Sequence, residues 1–308
     1  MVGGYQVLSN EEADQFVQRG FVHLKGCFSR EVANKAVDEM WARLGYDRER
    51  PSTWVDKRIH MPGVNSFEVK QFAPKAYAAA CDLVGGEERI KQPYTWNDAF
   101  IVNLGVRADE PWAGPSATSP GWHKDGDFFR HFLDSPEQGL LTFVLWTDVV
   151  ERGGATFVAC DSVGPVARVL LEHPEGILPN GFDFRALAQQ CHDFIEATGE
   201  AGDVYYLHPF LLHATAQNVL RRPRVITNPL LSLVEPMRFD REDSEGYSLV
   251  ERAVLHQLGT GPFTFAPSAP RERLVPEREA RQAAMRKAEE ARLGGSYESL
   301  GPFARKLR

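Results

Sequence analysis

From residue 99 to residue 234, short apolar runs rich in Val, Phe, Thr and Tyr recur between turn residues, and that rhythm leaves few folds open. The runs are AFIVNLG (99–105), LLTFVLWTDVV (140–150), ATFVA (155–159), DVYYL (203–207), FLLHATA (210–216) and RVITNPLLSLV (224–234). Strand-length apolar runs in series, each bounded by turn formers, predict an antiparallel sandwich or barrel. Residues 162–200 read as an insert carrying one helical piece, FRALAQQC, between strands.

The flanks have a different texture. Ser9 and Glu12 form an S-x-x-E capping box ahead of a helix that Gly20 stops. FVHL at 21–24 alternates like a strand, and Ser29 caps a second helix that ends at Gly45. Residues 46–74 read as irregular, with prolines at 51, 62 and 74, and KAYAAACDLVG predicts a short helix. After 235 the chain turns helical again. Pro276 is expected as a first helical residue and Gly294–Gly295 as a stop, with Ala280, Ala284, Ala288 and Ala291 as a small-residue stripe packed on the body or on another subunit. One domain is expected over 1–308. It comprises an N-terminal helical and strand layer (1–98), a β core (99–234) and a C-terminal helical extension (235–308).

Charge narrows the partners. The formal net charge is −7, yet residues 271–308 carry ten Lys or Arg against six Asp or Glu, leaving 25 against 36 in the rest. An acidic body argues against nucleic acid as a partner, and the tail is too mixed in sign to form a nucleic-acid arm. No run of eighteen apolar residues exists, and Met1 to Asn10 has neither a basic start nor an apolar run. Neither a membrane span nor a secretory leader is therefore expected. Cys27, Cys81, Cys160 and Cys191 are scattered without a CxxC pair, which fits reduced thiols in a cytoplasmic protein.

The sharpest local feature is GWHKDGDFF, which sets His123 and Asp125 two residues apart. In an extended chain that spacing puts both side chains on one face. An imidazole nitrogen and a carboxylate oxygen aimed at one point suit a divalent metal, and a second histidine would complete the facial triad of non-haem Fe(II) oxygenases. Of the nine histidines, only His208 and His213 lie in a downstream strand context, in HPFLLHATAQN. His213 sits inside an apolar strand pattern with small residues after it. His208 precedes a proline, and at five residues' separation the two face opposite ways, so His208 reads as a turn or supporting histidine. Arg224 heads the next apolar strand, where a charge needs a partner, whereas Arg221 and Arg222 flank a turn. Asn97, Asp98 and Asn103 read as strand-end structure or pocket residues. Arg130 and His131 read as substrate-anion contacts or, for Arg130, as an ion pair with Asp127 or Asp134. Trp112 with the Gly/Pro/Ser loop 113–121 reads as a lid.

Over roughly residues 5–234 the chain resembles the phytanoyl-CoA dioxygenase family of Fe(II)/2-oxoglutarate oxygenases. The resemblance rests on LSNEEADQFVQRGFVHLKGCFSREVANKAV, WHKD, LWTDVVERGGATFVACDS and HPFLLHATAQN followed by Arg224. It implies a mainly β fold with flanking helices around a double-stranded β-helix, the jelly-roll core also seen in cupins. It implies His123, Asp125 and His213 as iron ligands, Arg224 and Thr215 as partners of the 2-oxoglutarate carboxylate, and Trp146 as a wall of that pocket. Fe(II), 2-oxoglutarate and O2 would be the cofactor and co-substrates, and a small molecule of specialised metabolism the substrate. Related halogenases lack the carboxylate, so Asp125 points to hydroxylation or another oxidation. The sequence departs from the family in reading CDSVG without a histidine and in carrying the 162–200 insert. Two alternatives stay open: a cupin-like metal enzyme that does not use 2-oxoglutarate, and a non-catalytic ligand-binding sandwich.

Overall fold

The structure, a computed structural model, describes residues 4–294. The N-terminal layer runs α1 (Asn10–Arg19), β1 (Phe21–Leu24), α2 (Arg30–Leu44), β2 (Arg58–His60), β3 (Ser66–Glu68), α3 (Val69–Phe72), α4 (Pro74–Val84) and β4 (Thr95–Asn97). The core follows as β5 (Ile101–Asn103), β6 (Leu140–Leu145), β7 (Thr156–Ala159), α5 (Val163–Glu172), β8 (Phe194–Ala197), β9 (Val204–Leu207), β10 (Leu212–Thr215), β11 (Arg224–Thr227) and β12 (Leu230–Leu231). Helices α6 (Leu249–Leu258) and α7 (Glu277–Arg292) close the chain. The early helices start and stop where their caps predict. Ser9 and Glu12 make both capping-box bonds, and Gly20, Gly45 and Gly85 take the left-handed conformation that ends α1, α2 and α4.

Two antiparallel sheets carry the core. The larger has the order β1-β9-β6-β11-β5-β2, with β12 continuing beside β6, and the smaller has the order β10-β7-β8. Every apolar run from 99 to 234 contributes a strand. The run at 224–234, expected as one strand, is broken after Thr227 because Pro229 has no N–H to give the ladder. The insert holds more structure than expected: α5 and β8 as well as the predicted helical piece, which is a 3-10 turn at Phe184–Gln190.

Register assigns the faces of the larger sheet. Leu145 opposes Ile226, which opposes Ile101, which opposes His60; two residues along, Arg224 opposes Asn103, which opposes Arg58. Cross-strand partners share a face, and so do alternate residues along one strand. The Phe143 ring on that same face meets His213 of the smaller sheet edge-on, at 5.6 Å between centroids. This face is therefore the one turned toward the smaller sheet. The other face packs Trp146 among Phe28, Phe67, Phe72 and Phe100.

In the C-terminal extension α6 docks through buried Leu249, Val250, Ala253 and Val254, whereas the stretch from 271 through α7 docks mainly through charge. Arg271 pairs with Asp134, Glu272 with Arg130, and Arg278 with both oxygens of Asp127, so residues 271–278 run along the loop that follows His123. Further along α7, Glu289 reaches the buried Arg43, which also holds Asp98 and the Pro62 carbonyl; Arg43 and Glu289 are each 1% exposed. The alanine stripe faces outward instead of onto the body, because Met285 and Glu289 take the inner face. Pro276 is the cap, one residue before the helix, and Gly294 follows it in the left-handed conformation; Gly295 lies outside the described residues. Among the described residues no helix is long and apolar enough to cross a membrane.

Breaking one partner of a buried ion pair strands the other charge, although Asp98 here remains beside Arg43. Glu289→Ala is expected to lower the urea-unfolding free energy by about 3 kcal/mol. Glu290→Ala, one residue on, is expected to change it by less than about 0.5 kcal/mol.

Candidate metal centre

The chain around His123 is not a strand of its own but an extended segment making one bridge. His123 N–H donates to the His213 carbonyl and His213 N–H to the His123 carbonyl, each at 3.0 Å. That reciprocal pair adds the segment to the edge of β10 and sets the two imidazoles side by side, 4.2 Å between centroids. Asp125, two residues on, turns its carboxylate to the same point. Its Oδ1 lies 3.5 Å from His123 Nε2 and 3.5 Å from His213 Nε2.

Both rings are oriented by the same local device. His123 Nδ1–H donates to the Gly121 carbonyl at 2.8 Å and His213 Nδ1–H to the Leu211 carbonyl at 3.2 Å, in each case two residues back. With Nδ1 carrying the proton, Nε2 presents its lone pair inward, as a metal ligand must. The second carboxylate oxygen of Asp125 accepts from the Asn228 amide at 3.1 Å. Two nitrogens and one oxygen, all within 4.8 Å of one another, form a group able to hold a divalent cation. Burial works against the charged form of Asp125, but the facing imidazoles and the Asn228 amide outweigh it and hold the carboxyl below the usual range. Burial and the neighbouring His213 lower His123 to about 4, which keeps Nε2 free of a proton at neutral pH.

A cleft of about 700 Å³ opens over this cluster. His60, Ile101, Asn228 and Leu230 line it, together with Arg278 and Gln282 of α7. Arg224 lies on the sheet face turned toward the cluster and is 2% exposed. Its guanidinium donates only to the Gly154 and Ile101 carbonyls and has no carboxylate partner among the described residues. Burial, with the nearby charge of Arg58, pushes it down to about 9. Such a cation calls for an anion that the protein itself does not supply.

The remaining expected residues sort as follows. Thr215 alternates with His213 on β10 and so shares its face. Trp146 does not line the pocket: its indole donates to Thr227, on the sheet face opposite Arg224, and it is sealed in the aromatic core. His208 is fully buried, accepting from the Phe210 N–H and facing the Val250 carbonyl, so it is structural. Asp98 is held by Arg43 and accepts from the backbone at Val64 and Asn65, and Asn103 bonds the Ala216 carbonyl. Asn97 lines the cleft. His131 is buried against the Lys124 ammonium, which burial lowers to about 7. The loop after Trp112 is tied to the insert by Gln189 and contributes nothing to the cleft lining, where α7 stands instead.

Sequence reading missed Arg58, His60 and Asn228. Arg58 and His60 alternate in RIH, a three-residue strand in a segment that prolines make look irregular, and only pairing with β5 gives them a direction. Burial by the cleft walls, then Arg58 and Arg224, lowers His60 to about 4.

No family model and no curated protein matches the chain. Among solved structures it is similar to the non-heme alpha ketoglutarate dependent carbocyclase SnoK from nogalamycin biosynthesis, with 17% identity, coverage of 75% of this chain and 87% of that one, and a TM-score of 0.45. It is also similar to the epimerase SnoN in complex with Fe3+, alpha ketoglutarate and nogalamycin RO, at 16%, 87% and 96%, with a TM-score of 0.43. A third is HygX from Streptomyces hygroscopicus with nickel and 2-oxoglutarate bound, at 14%, 84% and 97%, with a TM-score of 0.41.

Two outcomes follow. His213→Ala, which removes one of the cluster's three donors, is expected to weaken Co(II) or Fe(II) binding at least about 100-fold in an anaerobic titration; Asn228→Leu, which frees only the supporting bond, should cost about 10-fold. His208, held neutral with its pKa lowered to about 3 by burial, takes up a proton on unfolding once the pH falls below its ordinary value of 6.5. Its contribution is therefore full above pH 6.5 and is lost progressively as pH falls toward 3, at up to about 1.4 kcal/mol per pH unit. Denaturant midpoints of His208→Gln against the parent should show a shallower acid limb.

Proposed function

We propose that the protein is an Fe(II)/2-oxoglutarate-dependent oxygenase on a double-stranded β-helix core, akin to the phytanoyl-CoA dioxygenase family. It oxidises, in the simplest case hydroxylates, a C–H bond of a small organic molecule and releases succinate and CO2. The observation that carries this reading is the pairing of a two-histidine, one-carboxylate cluster with a buried arginine on the facing sheet that has no anion of its own. A metal enzyme that did not use 2-oxoglutarate would have no need of that second feature.

Each residue has a task in this reading. His123, Asp125 and His213 would hold the iron through two imidazole nitrogens and one carboxylate oxygen. An iron held there would supply the activation of O2, coupled to oxidation of 2-oxoglutarate, that attack on a substrate C–H bond needs. Arg224 offers a planar fork to the distal carboxylate of 2-oxoglutarate, and Thr215 adds a hydroxyl donor beside it. Asn228 keeps one Asp125 oxygen occupied, so the other is committed to the metal. Phe143 and Ile226 make the intervening wall apolar, which excludes water and strengthens the charge pairing at Arg224.

The test is succinate formation from 2-oxoglutarate under air with Fe(II) and ascorbate. Slow turnover is expected in the parent and none in His213→Ala. Arg224→Leu is expected to raise the KM for 2-oxoglutarate about 100-fold, since truncating one side of a buried charge pair costs about 3 kcal/mol. No turnover together with no 2-oxoglutarate binding in the anaerobic Fe(II)-loaded protein would overturn the reading.

A further inference from the structure

The cleft over the metal cluster has a charge balance that its own residues leave unsettled. Four cationic side chains line it: Lys91, Lys124, Arg273 and Arg278. Two carboxylates face them, Asp125 and Asp127. Asp125 belongs to the metal cluster, and Asp127 is held by both ends of the Arg278 guanidinium at 2.6 and 3.0 Å. Lys124 bonds the Asp125 carbonyl and His131 and sits against the Phe129 and Phe210 rings. Lys91 and Arg273 remain, each exposed and without an ion-pair partner among the described residues. A cleft with one sign of uncompensated charge between low-dielectric walls concentrates the opposite charge.

A second observation is independent of charge. Gln138 lines the same cleft, is 2% exposed, and its Oε1 has no hydrogen-bond partner. Buried amide groups are nearly always bonded, and leaving one bare is costly. Whichever way the amide is turned, one buried polar atom needs a partner. A hydroxyl serves in either case, because it both donates and accepts.

We propose that the cleft takes an anionic, hydroxyl-bearing small molecule, its carboxylate or phosphate met by Lys91 and Arg273 and a hydroxyl by Gln138. This names the substrate class of the oxygenase read above and rests on that reading for the chemistry, but not for the binding. Arg273, contributed by the segment leading into α7, makes the C-terminal extension part of the recognition surface.

The test is calorimetric titration of the full-length, metal-free protein with glycerol 3-phosphate, glycerate and glycerol. At least one of the anions is expected to bind ten times or more tightly than glycerol, and which one does so identifies the acidic group. Lys91→Gln/Arg273→Gln, at exposed positions, should weaken that anion at least tenfold. Gln138→Leu should weaken it several-fold while leaving the deoxygenated counterpart, propyl phosphate or propionate, unchanged. Arg224→Leu should retain it. Neither anion surpassing glycerol would overturn the proposal. So would binding that survives Lys91→Gln/Arg273→Gln and vanishes in Arg224→Leu, since the anion would then sit at the inner arginine. The oxygenase reading fails separately, through loss of 2-oxoglutarate turnover and binding in the parent.

Discussion

The site hangs on one reciprocal pair of backbone hydrogen bonds, between His123 and His213. Without it the WHKD segment would be a surface loop, since it belongs to no named strand. With it, two residues 90 positions apart are placed as direct neighbours, and each then aims its ring by donating Nδ1–H to a carbonyl two residues back. The arrangement is therefore sensitive to register more than to side-chain packing. A one-residue slip between the two segments would turn one imidazole to the other face and leave its partner behind. The β10–β7 and β7–β8 ladders that hold His213 in register are thus part of the site, although none of their other residues is a metal ligand.

How far the sequence could be read follows from the same physics. The strands of the core announce themselves because each is a short apolar run between turn residues, and the ligands because His-x-Asp and a histidine inside a strand are unusual places for polar groups. The error at Trp146 has a definite cause. All six residues of β6 are buried, so the run carries no alternation of apolar and polar residues from which to tell the inner face from the outer. Its direction emerges only when Leu145 is paired with Ile226, and Trp146 then belongs to the opposite face. Arg58 and His60 were hidden for the converse reason. Their alternation is clear, but three residues in a proline-broken segment are too few to signal a strand without the partner strand β5 beside them. Helix α5 was hidden because Gly164 and Pro165 stand in its first turn and Ser162 makes no side-chain cap.

The C-terminal extension shows where composition misleads. Along 271–292 the alanines look like a stripe packed on the body or on another subunit and the charges like a solvated face, yet charge pairs hold this stretch to the body and the alanines face away from it. Arg271, Glu272 and Arg278 meet, in turn, Asp134, Arg130 and Asp127, all on the loop just after the metal motif. An extension tied down there adds Arg273, Arg278 and Gln282 to the cleft lining but no donor to the His123–Asp125–His213 cluster. Folds of this kind can keep their chemistry while such walls change, which is why the metal cluster is easier to read from sequence than the substrate.

Three cations drawn away from solvent to different degrees separate structure from function within this one molecule. Arg43 and Arg224 are removed from water, Lys124 is half-buried at the cleft, and each must be compensated. Arg43 has Asp98, Glu289 and a carbonyl, a closed network that fixes α7 to α2. Lys124 has only neutral partners, and burial lowers its pKa to about 7, so it can shed its charge instead of pairing it. Arg224 can do neither at neutral pH. Lowered to about 9 it stays protonated, and its partners are two carbonyls. A guanidinium in that position is a net cost to the folded protein on its own. It is tolerable in a working protein if an anion arrives to share the site, and Arg224 lies on the sheet face that Phe143 turns toward His213. The chelating anion that would bridge the two is the simplest way to account for both.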